Sequence, residues 1–151
     1  MKLKIAVLPG DGIGPEVTNE SIKVLNCIAK KFNHEVEMNE GLVGAIAIDH
    51  HNNPYPDETH NLCLESDAIL FGAIGDPKYD NDPKAKIRPE QGLLEMRKKL
   101  GLYANLRPTL VFDSLLHMSP IKEERITGTD ILFVRELTGG IYFGERGRKN
   151  N

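Results

Sequence analysis

Two kinds of hydrophobic pattern alternate along the chain. Ile5 to Leu8 is an unbroken apolar run closed by Pro9-Gly10-Asp11-Gly12, the pattern of a strand buried on both faces of a parallel sheet. A helix follows: Pro15 suits a first-turn position and Glu16 complements the helix dipole. Val17, Ile22, Leu25, Ile28, Ala29 and Phe32 then approximate a 3.6-residue stripe that runs out at Asn33-His34. Val36 and Met38 alternate with acids, as in an edge strand, whereas Ala68 to Phe71, wholly apolar and closed by Gly72, predicts a central strand. Between them Asp57 to Ser66 fits a helix with Pro56 at its start. The order β-α-β-x-α-β argues for α/β layers with right-handed crossovers, so residues 1–72 predict half of a doubly wound sheet.

Gly75 to Lys86 is rich in Gly, Pro, Asp and Lys without an apolar period and reads as a functional loop; Pro89 to Leu100 resumes helical spacing and stops at Gly101. Ala104 to Leu106, Ile131 to Val134 and Ile141 to Phe143 are three further strand candidates.

Composition narrows the class. The chain has 151 residues, 40% hydrophobic and 27% charged, with 14 Gly and 9 Pro, which excludes a disordered tail, a collagen and a coiled coil. Nineteen Lys and Arg against 22 Asp and Glu give a net charge of −3 with no basic block, so nothing draws the chain to nucleic acid or acidic lipid, and a small-molecule partner is expected. No apolar run approaches the roughly 18 residues of a membrane span, and Pro9-Gly10-Asp11 breaks the opening run before a signal-peptide core could form, giving the expectation of a cytoplasmic protein. Cys27 and Cys63 lack a CxxC or His spacing and read as structural thiols.

Several constellations could carry chemistry. Gly10-Asp11-Gly12-Ile13-Gly14 lies between strand and helix, where free N–H groups and the dipole favour an anion. Its spacing is GxGxG, not GxGxxG, and the end of the second strand offers no clear ribose-binding acid, so a tight turn needing glycines is preferred to a dinucleotide fingerprint. Asp49-His50-His51 with His60 matches no compact zinc motif, and the stretch from Asn52 to Asp57 reads as a solvated loop. On the helix after Pro89, the residues Glu90, Leu93, Leu94 and Arg97 share one face, which fits either an amphipathic helix packing its leucines or the wall of a pocket for an alkyl group beside a carboxylate. Arg107 and Arg135 interrupt strands that otherwise look buried, and a buried guanidinium needs an anion, from Glu136 or from a ligand. Tyr142, set among glycines, reads as a strand aromatic with room to face a ligand.

Four segments resemble one family. LPGDGIGPEV (Leu8 to Val17), GDPKYD (Gly75 to Asp80), IRPEQGLLEMRKKLGLYANLRP (Ile87 to Pro108) and VRELTGGIYFGE (Val134 to Glu145) are similar to the metal-dependent β-decarboxylating dehydrogenases of the isocitrate/isopropylmalate dehydrogenase family. RPEQGLL followed by ANLRP resembles its isopropylmalate branch. The resemblance implies oxidation of (2R,3S)-3-isopropylmalate by NAD and decarboxylation to 4-methyl-2-oxopentanoate, a step of leucine biosynthesis, with Mg or Mn as the metal. It implies that Arg97, Arg107 and Arg135 bind the malate carboxylates, that Leu93 and Leu94 receive the isopropyl group, and that Tyr142 donates the proton to the enol carbon. Ile13, Gly75, Asp76, Pro77, Lys78 and Glu90 would lie against the nicotinamide side of the cofactor. Gly75-Asp76 replaces the more usual Gly-Gly.

The implied fold is the first part of an isopropylmalate-dehydrogenase-like α/β fold with a mixed, mainly parallel layered sheet, incomplete in this chain. Residues 1–100 would begin the first domain, with the cofactor loop and the substrate helix, and residues 101–151 would begin a central dimerisation domain of a homodimer. The family's metal-binding aspartates, catalytic lysine and adenosine-holding loops fall beyond residue 151. The expectation is an N-terminal fragment, inactive alone. Sister enzymes for isocitrate, tartrate or homoisocitrate, and a noncatalytic di-acid or nucleotide-binding module, are the competing readings.

Overall fold

The computed structural model describes residues 1–80, 86–137, 139 and 147, the side chain of Asp80 excepted, and divides into two compact units, Met1–Leu100 and Gly101–Asn151. The first unit holds a parallel sheet in the order β2-β1-β3, formed by β1 (Lys2–Gly10), β2 (Glu35–Glu40) and β3 (Ala68–Ala73). β1 is the central strand, and Ile5, Ala6, Val7 and Leu8 are all buried, as an apolar run covered on both faces requires. It continues through Pro9, which the register passes over: Leu8 pairs with Phe71 and Gly10 with Ala73. β3, expected to be central, is instead an edge of the three described strands, and its side chains are only half-buried because it has a described neighbour on one side alone.

Helix α1 (Gly14–Lys31) turns a narrower face to the sheet than its apolar stripe suggests. Gly14, Thr18 and Ala29 are buried and Ile22 and Leu25 half-buried, whereas Val17, Ile28 and Phe32 are exposed. Small side chains set this contact: Thr18 lies over Gly72, where an added Cβ would come within 2.7 Å of its Oγ1. Cys27 also faces solvent, while Cys63 sits in the core, and both thiols are free.

The other core cluster is built from Ala6, Leu8, Val43, Tyr55, Cys63 and Met96, with Ile69, Phe71, Leu93 and Leu100 packed against it. It gathers α3 (Asp57–Leu64) and α5 (Pro89–Lys99) under the sheet. At the start of α5 the Arg88 N–H donates to Gln91 Oε1 at 2.9 Å. The loop at residues 52–57 is not solvated throughout. Pro54, Tyr55 and Pro56 are buried, and the Tyr55 hydroxyl meets His60 Nδ1 at 3.2 Å. Burial pushes both the Tyr55 phenol and the Cys63 thiol above their ordinary pKa values.

Helix α2 (Ala45–His51) has no counterpart among the elements expected from the sequence. Gly44 precedes it at φ 85°, and a Cβ at that position would collide with the Asp11 carboxylate. A four-residue helix, α4 (Pro77–Asp80), lies within the stretch expected to be loop.

In the second unit β4 (Ala104–Leu110) and β5 (Asp130–Glu136) form an antiparallel ribbon, with a 3-10 helix (Asp113–Met118) and a short α6 (Glu123–Ile126) between them. Both strands are exposed almost throughout, which corrects the expectation that Arg107 and Arg135 leave buried strands. The strand expected at Ile141 to Phe143 lies outside the described residues. Among the described residues no helix is long and apolar enough to cross a membrane.

Candidate functional site

In a sheet ordered β2-β1-β3 the chain leaves the central strand toward one side and returns to the other, so the C-terminal ends of β1 and β3 form the crevice where α/β sheets take ligands. Two segments rich in site candidates meet there: the Gly10–Gly14 turn after β1 and the Gly75–Lys78 segment after β3. A Cβ placed on Gly12 would stand 3.6 Å from the Gly75 carbonyl oxygen, and one placed on Gly75 would stand 3.7 Å from Glu90 Oε1. The fold therefore brings Gly75 beside both the glycine turn and the first turn of α5. Ile13, the N-cap residue of α1, is 57% exposed at the edge of this crevice.

Asp11 holds the crevice together. Its buried carboxylate accepts hydrogen bonds from Ala45 N (Oδ2, 2.8 Å), Ile46 N (Oδ1, 3.0 Å) and Gly75 N (Oδ2, 3.1 Å), while its own N–H donates to the Ala73 carbonyl at 2.7 Å. The anion that the glycine turn was expected to attract is thus supplied by the turn itself, and it caps α2 rather than α1. Sequence reasoning missed this because the three N–H groups lie 34 to 64 residues away from Asp11.

A cavity of about 400 Å³ opens beside Asp11, lined by the Gly10–Gly12 backbone, Pro15, Glu40, Ile46, Asp49 and Asp76. Glu40 is the last residue of β2 and so supplies an acid at the strand end where the sequence shows none clearly suited to ribose. Of the proposed cofactor set, only Asp76 lines this cavity.

Lys78 does not point freely into the crevice. Its ammonium is 2.5 Å from Asp49 Oδ2, and Tyr79 OH donates to Asp49 Oδ1 at 3.0 Å. These hydrogen bonds, from Lys78 first and then Tyr79, hold the Asp49 carboxyl below its ordinary value of 3.8, and Asp49 in turn holds the Lys78 ammonium above 10.5. The sign is therefore fixed at both ends. Asp49's contribution is fully present above 3.8 and is lost as pH falls through its lowered value; Lys78's is fully present below 10.5 and is lost as pH rises through its raised value. Carbon NMR of the Asp49 carboxyl is expected to give a midpoint below 3.8 that moves back toward 3.8 in Lys78→Gln.

On α5, Leu93 packs against the core, which satisfies the plain amphipathic reading for that residue. Leu94 and Arg97 are half-buried, and the Arg97 guanidinium makes no hydrogen bond or ion pair with a described residue. In the ribbon, Asn105 stands opposite Arg135 and Arg107 opposite Phe133, so the two arginines are diagonal neighbours on one face. Arg107 Nε donates to Asn105 Oδ1 at 3.0 Å. Tyr142 lies outside the described residues. His51 pairs with Glu58 at 3.1 Å, and among the described residues no group of three or more His, Cys, Asp or Glu side chains is placed to hold a metal ion.

The chain matches the isocitrate/isopropylmalate dehydrogenase family over residues 4–151. It is 54% identical over all 151 residues to the 3-isopropylmalate dehydrogenase of Bacteroides fragilis, covering 43% of that protein. Over 149 residues it is 54% identical to the enzyme of the same name from Bacillus subtilis, covering 40% of it. It therefore spans less than half the length of these relatives and corresponds to their N-terminal part. Among solved structures, an isocitrate dehydrogenase from Methylococcus capsulatus superposes with a TM-score of 0.71 at 25% identity, over 95% of this chain and 37% of that one. A β-decarboxylating dehydrogenase from Thermococcus kodakarensis gives 0.61 at 32% identity, over 89% of this chain and 33% of that one.

Proposed function

Since the chain belongs to the isocitrate/isopropylmalate dehydrogenase family, we propose that it is the N-terminal part of an NAD-dependent enzyme that oxidises and decarboxylates (2R,3S)-3-isopropylmalate. The observation that carries this reading is the α5 face: Leu94 and Arg97 lie half-buried on one helix whose first turn, at Glu90, adjoins Gly75. An alkyl arm and a carboxylate on one small substrate fit that pairing. Arg97, with no partner of its own among the described residues, is left to bind a carboxylate, and the shared ribbon face of Arg107 and Arg135 supports the same role for them. Leu94 is the side chain assigned to the isopropyl group, since Leu93 already spends much of its surface on the core.

The crevice at the ends of β1 and β3 fits the nicotinamide end of NAD, which accepts the hydride when bound. Gly75 leaves backbone open at Glu90, Ile13 offers apolar surface, and the Asp11 carboxylate fixes the Gly75 N–H in place. The described residues do not by themselves form a site for the Mg or Mn that the family uses, so the part of the reaction that falls to them is to bind and orient substrate and cofactor. The enzyme would act in the cytoplasm as a homodimer.

The test is NADH formation by the full-length enzyme that carries these residues, with isopropylmalate compared against isocitrate and tartrate. Isopropylmalate is expected to give the highest kcat/KM, and a preference for another malate would assign the chain to a sister activity. Leu94→Lys is expected to lower kcat/KM for isopropylmalate by about 10- to 200-fold, the range for about 1 to 3 kcal/mol of lost apolar contact, with a smaller loss for isocitrate. An unchanged ratio between the two substrates would remove Leu94 from the pocket.

A further inference from the structure

Helix α2, which the sequence pattern does not announce, touches the segment from Gly75 to Tyr79 at two points. At its first turn the same Asp11 Oδ2 that accepts from Ala45 N accepts from Gly75 N. In its last turn Asp49 uses one oxygen for Lys78 and the other for Tyr79, leaving neither oxygen without a partner. The segment is also braced internally. Asp76 Oδ1 accepts from Lys78 N at 2.9 Å, Asp76 Oδ2 lies 3.9 Å from the Lys78 ammonium, and that ammonium sits 5.1 Å from the centre of the Tyr79 ring. One cation is thus surrounded by two carboxylates and an aromatic face of its own chain.

We propose that Asp49 is the positioning residue of the cofactor loop, and that Lys78 serves as its strut rather than as a phosphate ligand. This rests on the reading of the crevice as the nicotinamide side of an NAD site. Charge favours it: Asp11, Glu40, Asp49 and Asp76 line the adjoining cavity, a field that repels a pyrophosphate and leaves Lys78 nothing to attract there but carboxylates. Asp49 and Lys78 are 44% and 47% exposed, so the pair adds little to stability, and its effect is on where the loop stands.

The measurement is a double-mutant cycle in the full-length enzyme. Asp49→Asn and Lys78→Gln are each expected to raise KM for NAD about three- to tenfold with kcat nearly unchanged, and the double variant to be no worse than the worse single one. The exchange Asp49→Lys with Lys78→Asp is expected to recover part of the loss. A rise in KM confined to Lys78→Gln would mean that Lys78 meets the dinucleotide directly and would overturn the proposal, as would two silent single variants. The clamp is also read without turnover, by the rate of tryptic cleavage after Lys78, which is expected to be several-fold faster in Asp49→Asn than in the unaltered enzyme. Equal rates sink the clamp whatever the kinetics show; unequal rates in a protein that forms no NADH leave the clamp standing and remove the NAD reading instead.

Discussion

Tyr142→Phe in the full-length enzyme is expected to depress turnover by about 10² to 10⁴, the usual contribution of a positioned general acid, while leaving the unfolding midpoint and KM for isopropylmalate close to those of the unaltered enzyme. The expectation comes from the segment Gly139-Gly140-Ile141-Tyr142-Phe143-Gly144, which resembles the family's proton-donor region. Decarboxylation leaves an enol whose carbon must take up a proton, and replacing Tyr by Phe removes one hydroxyl and nothing else. A loss in kcat and kcat/KM together, with no change in KM, is the mark of a group that acts in the transition state. The β-keto acid that the oxidation would produce, fed to the enzyme directly, bypasses the redox step and separates the two halves of the reaction: the variant should be slow to convert it as well. A full-rate Phe variant would remove Tyr142 from the reaction.

Local pattern carries the sequence reading furthest where an element is set by its own residues. Ile5 to Leu8 announces β1, Pro56 and Asp57 the start of α3, and Pro89 to Gly101 the whole of α5, because caps and apolar spacing act within a few residues. The pattern fails where distant partners decide. Helix α2 is seven residues long, too short to display a period, and it is begun by a carboxylate 34 residues earlier in the chain. Gly44 is the one available signal: a glycine ahead of Ala45-Ile46-Ala47-Ile48 marks a backbone turn that admits no side chain. The burial of Arg107 and Arg135 is suggested by their apolar flanks, yet an apolar strand shows only what could be covered, and both described strands are exposed almost throughout. Among the candidate site residues, helical spacing makes it legible that Glu90 and Arg97 stand on one helix, because that spacing fixes which residues share a face. Lys78 is legible as a loop cation but not as a spoken-for one, since its partner Asp49 stands 29 residues away.

Asp11→Ala is expected to cost about 3 to 5 kcal/mol of stability, because it takes a shared acceptor from three N–H donors, one buried and two part-buried, in a place where Asp11 is only 6% exposed. Each of Ala45 N, Ile46 N and Gly75 N would lose a charged acceptor at 2.8 to 3.1 Å. The damage should also be directional. Ala45 and Ile46 begin α2 and Gly75 begins the segment proposed to meet NAD, so on that proposal the variant should lose affinity for NAD before it loses helix α1 or the β1-β3 pairing. Asp11→Asn keeps an acceptor for two of the donors but turns an amide N–H₂ toward the third, and is expected to cost about 1 to 3 kcal/mol. Gly44→Ala attacks the same contact from the other side, since its Cβ would occupy the carboxylate's place and its backbone would be held at φ 85°. If one contact explains both residues, the Asp11→Ala and Gly44→Ala losses must fall short of additive in the double variant, because removing the carboxylate removes the collision. Chemical unfolding of the four proteins, with KM for NAD measured in parallel, decides this: strict additivity, or an Asp11→Ala cost under about 0.5 kcal/mol, the level of an ordinary surface substitution, would show that α2 and the loop are held by something other than Asp11.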